Sequence, residues 1–478
     1  MSALPISQTV EKTDANANLS ALLESLVCPS CNKPAAKLSI AKYRLTCELC
    51  KTKFPVFENG QDSVPWLYAD PDQSLIEWKA RLNGFLHLNH LEQRRLSDAL
   101  KDKHTSKTGH ERINRTLQAK IENKAQILEL ISPLKLESKS FEFAVDAMSA
   151  FYSKTPKVQG LSSYYNNIFR DWCWDNSENE QLLEAVESTL LDHQHLGRML
   201  TIGAGAGRLS YDMHRKYVPD MSILLDINPL LLFASSSAIQ GKKFSLYEFP
   251  IAPLNKDSFA VLQNCQAPNP THENIIHMFA DGLNAPFKAQ SFNTVLTPWL
   301  IDIIPQNLCD FIPRINQLLK IGGQWINTGS LVFFHKDPAW CYSEEEVLEL
   351  LEKYGFESIA SNRKTIQYLN SPISAHGRTE ELFSFCVKKV KDVASPPKYD
   401  YLPAWIHDVT QPIPGYHEHN IESSKHLLQA QVIGAIDGNR SIEQIGLLIA
   451  KQYSLQVDEA IHAVRRIAID LHESTAKQ

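Results

Sequence analysis

The chain has 478 residues, is 43% hydrophobic and 21% charged, and carries a formal net charge of −6. The composition is that of an ordinary folded protein, the length suggests about three domains, and the charge gives no global reason to expect nucleic-acid binding. No run approaches the roughly 18 apolar residues of a membrane span, and the polar N-terminus lacks the basic start and apolar stretch of a secretory signal, so the expected location is a reducing cytoplasm.

In chain order, residues 1–20 are polar and expected to be disordered. Residues 21–62 hold two cysteine pairs, Cys28 with Cys31 and Cys47 with Cys50, in CPSCNKPAAKLSIAKYRLTCELC. Each C-x2-C pair puts two thiolates on one tight knuckle, and two knuckles complete a tetrahedral four-sulfur site suited to Zn2+. Such a site leaves no open coordination position, so the metal would stabilise the fold and not activate water. Four unligated thiols or a redox pair are the alternatives. The segment is similar to the zinc ribbons that accompany some tRNA and protein methyltransferases. The other five cysteines, Cys173, Cys265, Cys309, Cys341 and Cys386, follow no spacing and read as structural thiols. Residues 63–154 turn helical, with Leu75, Trp78, Leu82, Phe85 and Leu86 at helical spacing. Residues 79–124 carry eleven Lys or Arg against five Asp or Glu. That excess reads as a solvated face, with RNA or another acidic partner as the alternative. No aromatic interleaving suggests stacked bases.

From 155 to 390, strand-like apolar runs alternate with helices, which predicts an α/β domain. The stretch MLTIGAGAGRLSY places Gly203, Gly205 and Gly207 between an apolar strand and a helix. Glycines there allow positive φ and let a ligand lie against the backbone. A dinucleotide fold would want a glycine at position 208, which is Arg. The G-x-G-x-G pattern instead resembles the first motif of S-adenosylmethionine-dependent methyltransferases. A second strand, SILLD, ends at Asp226, where a carboxylate can accept both ribose hydroxyls of an adenosine. A third leads to Asp281 and Gly282, with Asp281 placed for the exocyclic amine of adenine. Thr297, on the next strand, is a further candidate on the cofactor side. An amphipathic helix from Leu308, a Gly-Gly turn and a strand follow. Then come a helix opened by a Ser343/Glu346 capping box and two strands only about ten residues apart. That link is too short for a helical crossover and implies an antiparallel pair closing the sheet. The expected fold is thus α/β, a class I methyltransferase fold: a Rossmann-like doubly wound sheet with a closing antiparallel hairpin. Around it are expected an N-terminal zinc ribbon, a helical segment and a small helical C-terminal domain.

Roughly residues 74–390 resemble the carnosine N-methyltransferases. The likeness is carried by FRDWCWDNSENE (169–180), IGAGAGRLSYDM, ADG, WLIDIIPQNLCDFI and LLKIGGQWINTGSLVFFH. It implies S-adenosyl-L-methionine as cofactor, with Arg170 of the Arg170-Asp171-Trp172 segment reaching the methionine carboxylate. It also implies that Gly203, Asp226, Asp281 and Gly282 hold the rest. The implied substrate is the imidazole of a histidine-containing dipeptide, positioned by Asp302. A carboxylate beside an imidazole N–H fixes the tautomer and leaves the other nitrogen free to attack. Asp302 could instead simply cap the next helix. Asn327 matches the family's I-N-x-G and is a candidate donor to substrate, and His335 lies at the end of LVFFH; both also have structural readings. The sequence departs from the family in three places. Asp302-Ile-Ile-Pro305-Gln306 stands where the family has D-T-A-H, Asp226 replaces a glutamate, and LFSFCV replaces a tyrosine-rich final strand. The reaction therefore transfers more safely than the substrate.

Residues 391–402 are charged, then proline-rich, and read as a linker. Residues 403–478 read as three helices, the second opened by a Ser441/Gln444 capping box. They resemble the winged-helix-like peptide-binding modules of enzymes that modify ribosomally made peptides, which take a leader peptide on a sheet edge. A DNA-binding winged helix or a dimerisation unit fits as well. The expected activity is S-adenosylmethionine-dependent N-methylation of an imidazole in a histidine-containing dipeptide or peptide. An RNA (tRNA) methyltransferase docking through the ribbon and basic helices, and a non-catalytic cofactor-binding scaffold, are the alternatives.

Overall fold

The computed structural model describes residues 17–136, 161–399 and 410–476, apart from 34, 42, 175, 192–193, 334–337 and 416. The chain divides into two units, Met1–Tyr399 and Asp400–Gln478.

The first unit opens with helix α1 (Ala17–Leu22), whose Leu19 and Leu22 are fully buried. The last residues of the segment expected to be disordered are thus helical, because two leucines one turn apart have a core to enter. A four-stranded antiparallel meander follows: β1 (Leu38–Ala41), β2 (Arg44–Cys47), β3 (Lys53–Asn59) and β4 (Asp62–Leu67). The β3–β4 turn needs Gly60, at φ +66°. Asp70 then caps α2 (Pro71–Ala99) by accepting from Gln73 N at 2.9 Å, with Pro71 at the first helical position. Ser106 caps α3 (Lys107–Leu130).

The α/β core adds α4 (Tyr165–Trp172), α5 (Glu178–Glu187), β5 (Arg198–Ile202), α6 (Arg208–Tyr217), β6 (Met221–Asp226) and α7 (Pro229–Ile239). After these come β7 (Phe244–Glu248), β8 (Val261–Cys265), β9 (Ile275–Ala280), β10 (Phe292–Pro298), α8 (Leu308–Leu318) and β11 (Leu319–Gly329). Helix α9 (Glu344–Lys353), β12 (Phe356–Tyr368) and β13 (Arg378–Lys389) complete it. Every residue of β6 and β9 is buried, as expected of parallel strands covered on both faces. The strand order is β1-β2-β3-β4-β9-β6-β5-β10-β11-β13-β12. From β9 to β11 the pairs are parallel, and β13 is antiparallel to both β11 and β12. This is the doubly wound sheet with its closing antiparallel hairpin. The chain runs outward from β5 in both directions, so the switch point lies between the carboxyl ends of β5 and β10, where such sheets bind ligands.

The ribbon, whose meander runs past the expected boundary at residue 62 through β4, is not a separate appendage. Strand β4 pairs in parallel with β9, Trp66 opposite Phe279 and Leu67 opposite Ala280. It thereby covers an edge that would otherwise expose a row of unpaired backbone groups. A buried polar network backs the joint: Asp62 lies 2.9 Å from His277 Nδ1 and accepts from Ser236 Oγ at 2.6 Å, and Asn59 Nδ2 donates to the same hydroxyl. Several of the cations in and just after α2 and in α3 are engaged. Lys101 pairs with Asp98, Lys120 with Glu92 and Arg115 with Asp257, while Arg112 lies over Phe259.

Two expectations change. The expected linker is laid on the core as far as Tyr399, through Gln317 to the Val393 carbonyl, Arg314 to that of Pro397, and Tyr399 N to Asn284 Oδ1. Cys173 and Cys265 are not independent thiols but a disulfide, since the end of α4 and β8 bring their Cα atoms to 5.2 Å. The second unit contains α10 (His417–Gly434), α11 (Ile442–Tyr453) and α12 (Val457–Ala476) around Val432, Ile445, Ile449 and Val464. The Ser441/Gln444 capping box is present. Its described residues form these helices and no strand; residues 400–409 lie outside the described residues. No helix among the described residues is long and apolar enough to cross a membrane.

Candidate active site

The loop after β5 forms the floor of the crevice. Gly203, Gly205 and Gly207 all take positive φ, +73°, +59° and +91°, a region L side chains enter only at a cost. The three are not equivalent. A Cβ on Gly207 would come 2.0 Å from Ser235 Oγ, and one on Gly203 would come 3.1 Å from Leu300, but one on Gly205 would meet nothing within 4 Å. Gly207 is required by packing, whereas Gly205 faces open space that a ligand can fill. Gly205 N donates to Asp226 Oδ2 at 2.7 Å, and Asn228 N to Oδ1 at 2.8 Å. Each carboxylate oxygen keeps a lone pair for a further donor, as a ribose diol requires. Burial pushes the Asp226 carboxyl above its ordinary range against those two amide donors. Beside it Ile227 is 48% exposed despite its apolar side chain. Gly282 serves packing: a Cβ there would come 2.4 Å from Ile202. Asp281 accepts from Leu283 N at 2.9 Å and from Asn284 Nδ2 at 2.6 Å, which shapes the turn after β9. The floor thus offers open backbone at Gly205 beside the Asp226 carboxylate.

Helix α4 roofs the glycine loop. Trp172 Nε1 donates to the Ala206 carbonyl at 2.8 Å, and Arg208 N donates to Asp171 Oδ2 at 3.3 Å. Arg170 is buried, its Nε 2.7 Å from Asp171 and 3.8 Å from Glu178, with its guanidinium 5.9 Å from the Tyr368 ring centre. Burial opposes its charge, but Asp171, then Tyr368 and Glu178, outweigh it and raise its pKa. Arg170 Nε is thus engaged by these carboxylates.

On the other side of the switch point, Asp302 follows β10. Its Oδ2 accepts from Ser330 Oγ, at the end of β11, at 2.9 Å. Burial pushes the Asp302 carboxyl upward, with Glu380 adding to the rise and Ser330 opposing it. It does not cap α8, whose N-cap is Asn307. Tyr164 stands between the two halves: burial, then Asp226, Tyr368 and Asp302, raise its phenol well above the usual range. Tyr368, at the end of β12, packs on Trp299 with ring centres 4.4 Å apart, and Arg378 lies 4.4 Å from its ring centre. Trp299 takes φ +49°, rare for a bulky residue and typical of strain held at functional sites. Its buried indole N–H has no acceptor among the described residues. Tyr164, Ser330 and Tyr368 were missed by sequence reasoning.

Thr297 and Asn327 are brought together, but inside the sheet. The Thr297 hydroxyl lies 2.9 Å from the Asn327 amide and accepts from Trp325 Nε1 at 2.8 Å. Both side chains are fully buried. Gln306 is buried and accepts from Arg314 Nε at 3.2 Å. His335 lies outside the described residues.

The four ribbon cysteines converge, with all four sulfurs within 4.8 Å of one another. Cys28 and Cys50 Sγ are 3.6 Å apart, and Cys31 and Cys47 Sγ 3.9 Å. A tetrahedral ion with bonds near 2.3 Å sets its sulfurs about 3.8 Å apart, so the cluster fits a four-thiolate metal.

Residues 148–390, just over half the chain, match the sequence profile of the family described as carnosine N-methyltransferase. The carnosine N-methyltransferase of Dictyostelium discoideum is 22% identical over 293 residues, 55% of this chain and 59% of that protein. Carnosine N-methyltransferase unmet of Drosophila melanogaster is 26% identical over 259 residues, 48% of this chain and 56% of that protein. The chain thus spans somewhat over half the length of these curated relatives. Among solved structures, the YcgJ protein of Bacillus subtilis aligns with 13% identity and a TM-score of 0.30, covering 44% of this chain and 99% of that one. The profile match, spanning the glycine loop, Asp226, Asp281 and Asp302, places this chain in the carnosine N-methyltransferase family.

Proposed function

We propose that this protein is an S-adenosylmethionine-dependent N-methyltransferase acting on an imidazole nitrogen of a histidine-containing dipeptide or peptide. The observation that carries the reading is the pairing, across one switch point, of an open glycine floor gripped by Asp226 with a second carboxylate, Asp302, held by Ser330. Gly205 and Asp226 would seat the nucleoside, the turn at Asp281 its base, and Arg170 the tail carboxylate. When bound, the cofactor supplies a methyl group on a positively charged sulfur.

The chain's own work is then orientation. Asp302 accepts the N–H of the substrate imidazole, which fixes the tautomer and directs the unprotonated nitrogen toward the floor. Ser330 donates to one Asp302 oxygen and so fixes the carboxylate's rotamer. Tyr164 and Tyr368 wall the space between the two carboxylates and exclude water. A reaction of this kind needs alignment and a neutral nucleophile more than acid–base chemistry. We assign the ribbon cluster to one structural Zn2+. The RNA reading has little support, since Lys101 after α2 and Arg115 and Lys120 of α3 already have partners.

The test is incubation of the purified full chain with methyl-labelled cofactor and a panel of histidine dipeptides, histidine-containing peptides and tRNA. Label in the dipeptide or peptide pool is the expected result. Label in tRNA, or in no pool while the cofactor binds, would replace it with one of the other two functions.

A further inference from the structure

The ribbon reaches further into the site than a stabilising module needs to. Strand β4 ends at Leu67 opposite Ala280 in a parallel register, so Tyr68 comes beside Asp281. Its hydroxyl donates to the Ile227 carbonyl at 3.3 Å, immediately after Asp226. One ribbon residue therefore spans the gap between the carboxylate that would grip the ribose and the one whose turn would take the base. The ring is half-buried and packs against Trp66 at 4.8 Å between ring centres. Burial, then the charges of Asp226 and Asp281, hold its phenol well above the usual range, which places it against both. A second attachment fixes the opposite flank of the same turn. Val27 N donates to the Pro286 carbonyl at 2.9 Å and Lys288 N to that of Ser25 at 2.8 Å, around a bridge between Leu26 and Phe287. The residues just before Cys28 thus clamp the loop that starts at Asp281.

Resting on the cofactor-site reading above, we infer that Tyr68 is a cofactor-binding residue contributed by the ribbon, its ring forming the wall against which the adenine lies. The ribbon then does two things at once: it closes the sheet edge at β9 and completes the nucleoside pocket. The half-exposed Ile227 supplies an apolar surface beside that wall, so the base has an aromatic face and an aliphatic neighbour. Aromatic contact with a base is strong enough that losing it weakens binding by roughly tenfold or more.

The experiment is calorimetric titration of the full, metal-loaded chain with S-adenosylhomocysteine, the unreactive product form. Wild type is compared with Tyr68→Ala, Tyr68→Leu and Tyr68→Phe, each checked by thermal melting and metal content. Tyr68→Leu keeps the buried bulk and loses the ring, so it decides the question if Tyr68→Ala fails to fold. The expected result is a Kd raised about tenfold or more in the Ala and Leu variants and within about threefold of wild type in Phe. In the wild-type chain, binding should also slow hydrogen exchange at Leu67–Asp70. Folded Leu and Ala variants with wild-type Kd, or no protection of Leu67–Asp70, overturn the inference while leaving the cofactor site intact. Failure of the wild-type chain to bind at all overturns the cofactor-site reading and this inference with it.

Discussion

Gly205→Ala separates ligand contact from folding at the glycine loop. At φ +59° with no protein atom within 4 Å of the added methyl, the substitution has no clash to relieve in the ligand-free chain. Its cost is the left-handed backbone of a residue bearing a Cβ, roughly 1–2 kcal/mol. A domain stable by about 5–15 kcal/mol survives that. The methyl enters the space assigned to the cofactor, and overpacking a close contact costs about 1–3 kcal/mol. That corresponds to a Kd raised about 5- to 150-fold. Gly207→Ala is the contrast, because its methyl would come 2.0 Å from Ser235 Oγ in a core already filled; it should compromise folding before binding can be read. The assay is calorimetric titration with S-adenosylhomocysteine alongside a thermal melt of each variant. A folded Gly205→Ala chain with an unchanged Kd would refute the assignment of that open space to the cofactor.

Asp302→Ala should lower kcat at least about a hundredfold, the scale of losing substrate alignment, with Kd for S-adenosylhomocysteine near wild type; collapse of that Kd would remove Asp302 from the substrate side. Because burial raises the Asp302 pKa, activity should fall as pH drops through that raised value, and Asp302→Asn should lose this limb while keeping the one set by the substrate imidazole. The same shift has a stability sign. The protonated form is favoured in the folded state, so its contribution is present at low pH and lost as pH rises through the folded pKa. Asp302→Asn should therefore raise the melting temperature at neutral pH and not in acid; no gain at neutral pH would count against a desolvated carboxylate. The ribbon should hold one zinc per chain by elemental analysis. Cys47→Ser should reduce that content and lower the melting temperature, whereas substitution of Cys341, outside the cluster, should change neither.

What the sequence disclosed and what it hid follow from the range of the interactions. The glycine loop was legible because a missing side chain is itself the signal, and Asp226 because it ends an apolar run. The cysteine knuckles were legible because metal ligation works through short spacing, and the closing hairpin because its link is too short for a crossover. Contacts between distant segments left no local mark. Nothing in SVPWLY announces that β4 will pair with β9, some 210 residues away, or that Tyr68 will stand beside Asp226 and Asp281. The Cys173–Cys265 bond, 92 residues apart, was hidden for the same reason. That Thr297 and Asn327 would be register partners on β10 and β11, with their side chains bonded to each other, was equally unmarked in the sequence. The segment after Lys389 has a linker's composition, but Arg314, Gln317 and Asn284 hold its backbone to the core as far as Tyr399.

The most direct test of the account is to incubate the full chain with S-adenosylmethionine and a histidine dipeptide and to locate any added methyl by nuclear magnetic resonance. A single methyl on one ring nitrogen of the imidazole, absent with Asp302→Ala, is the predicted result. A methyl on the amino group or carboxylate, or an unmodified dipeptide under conditions where the cofactor binds, would contradict it.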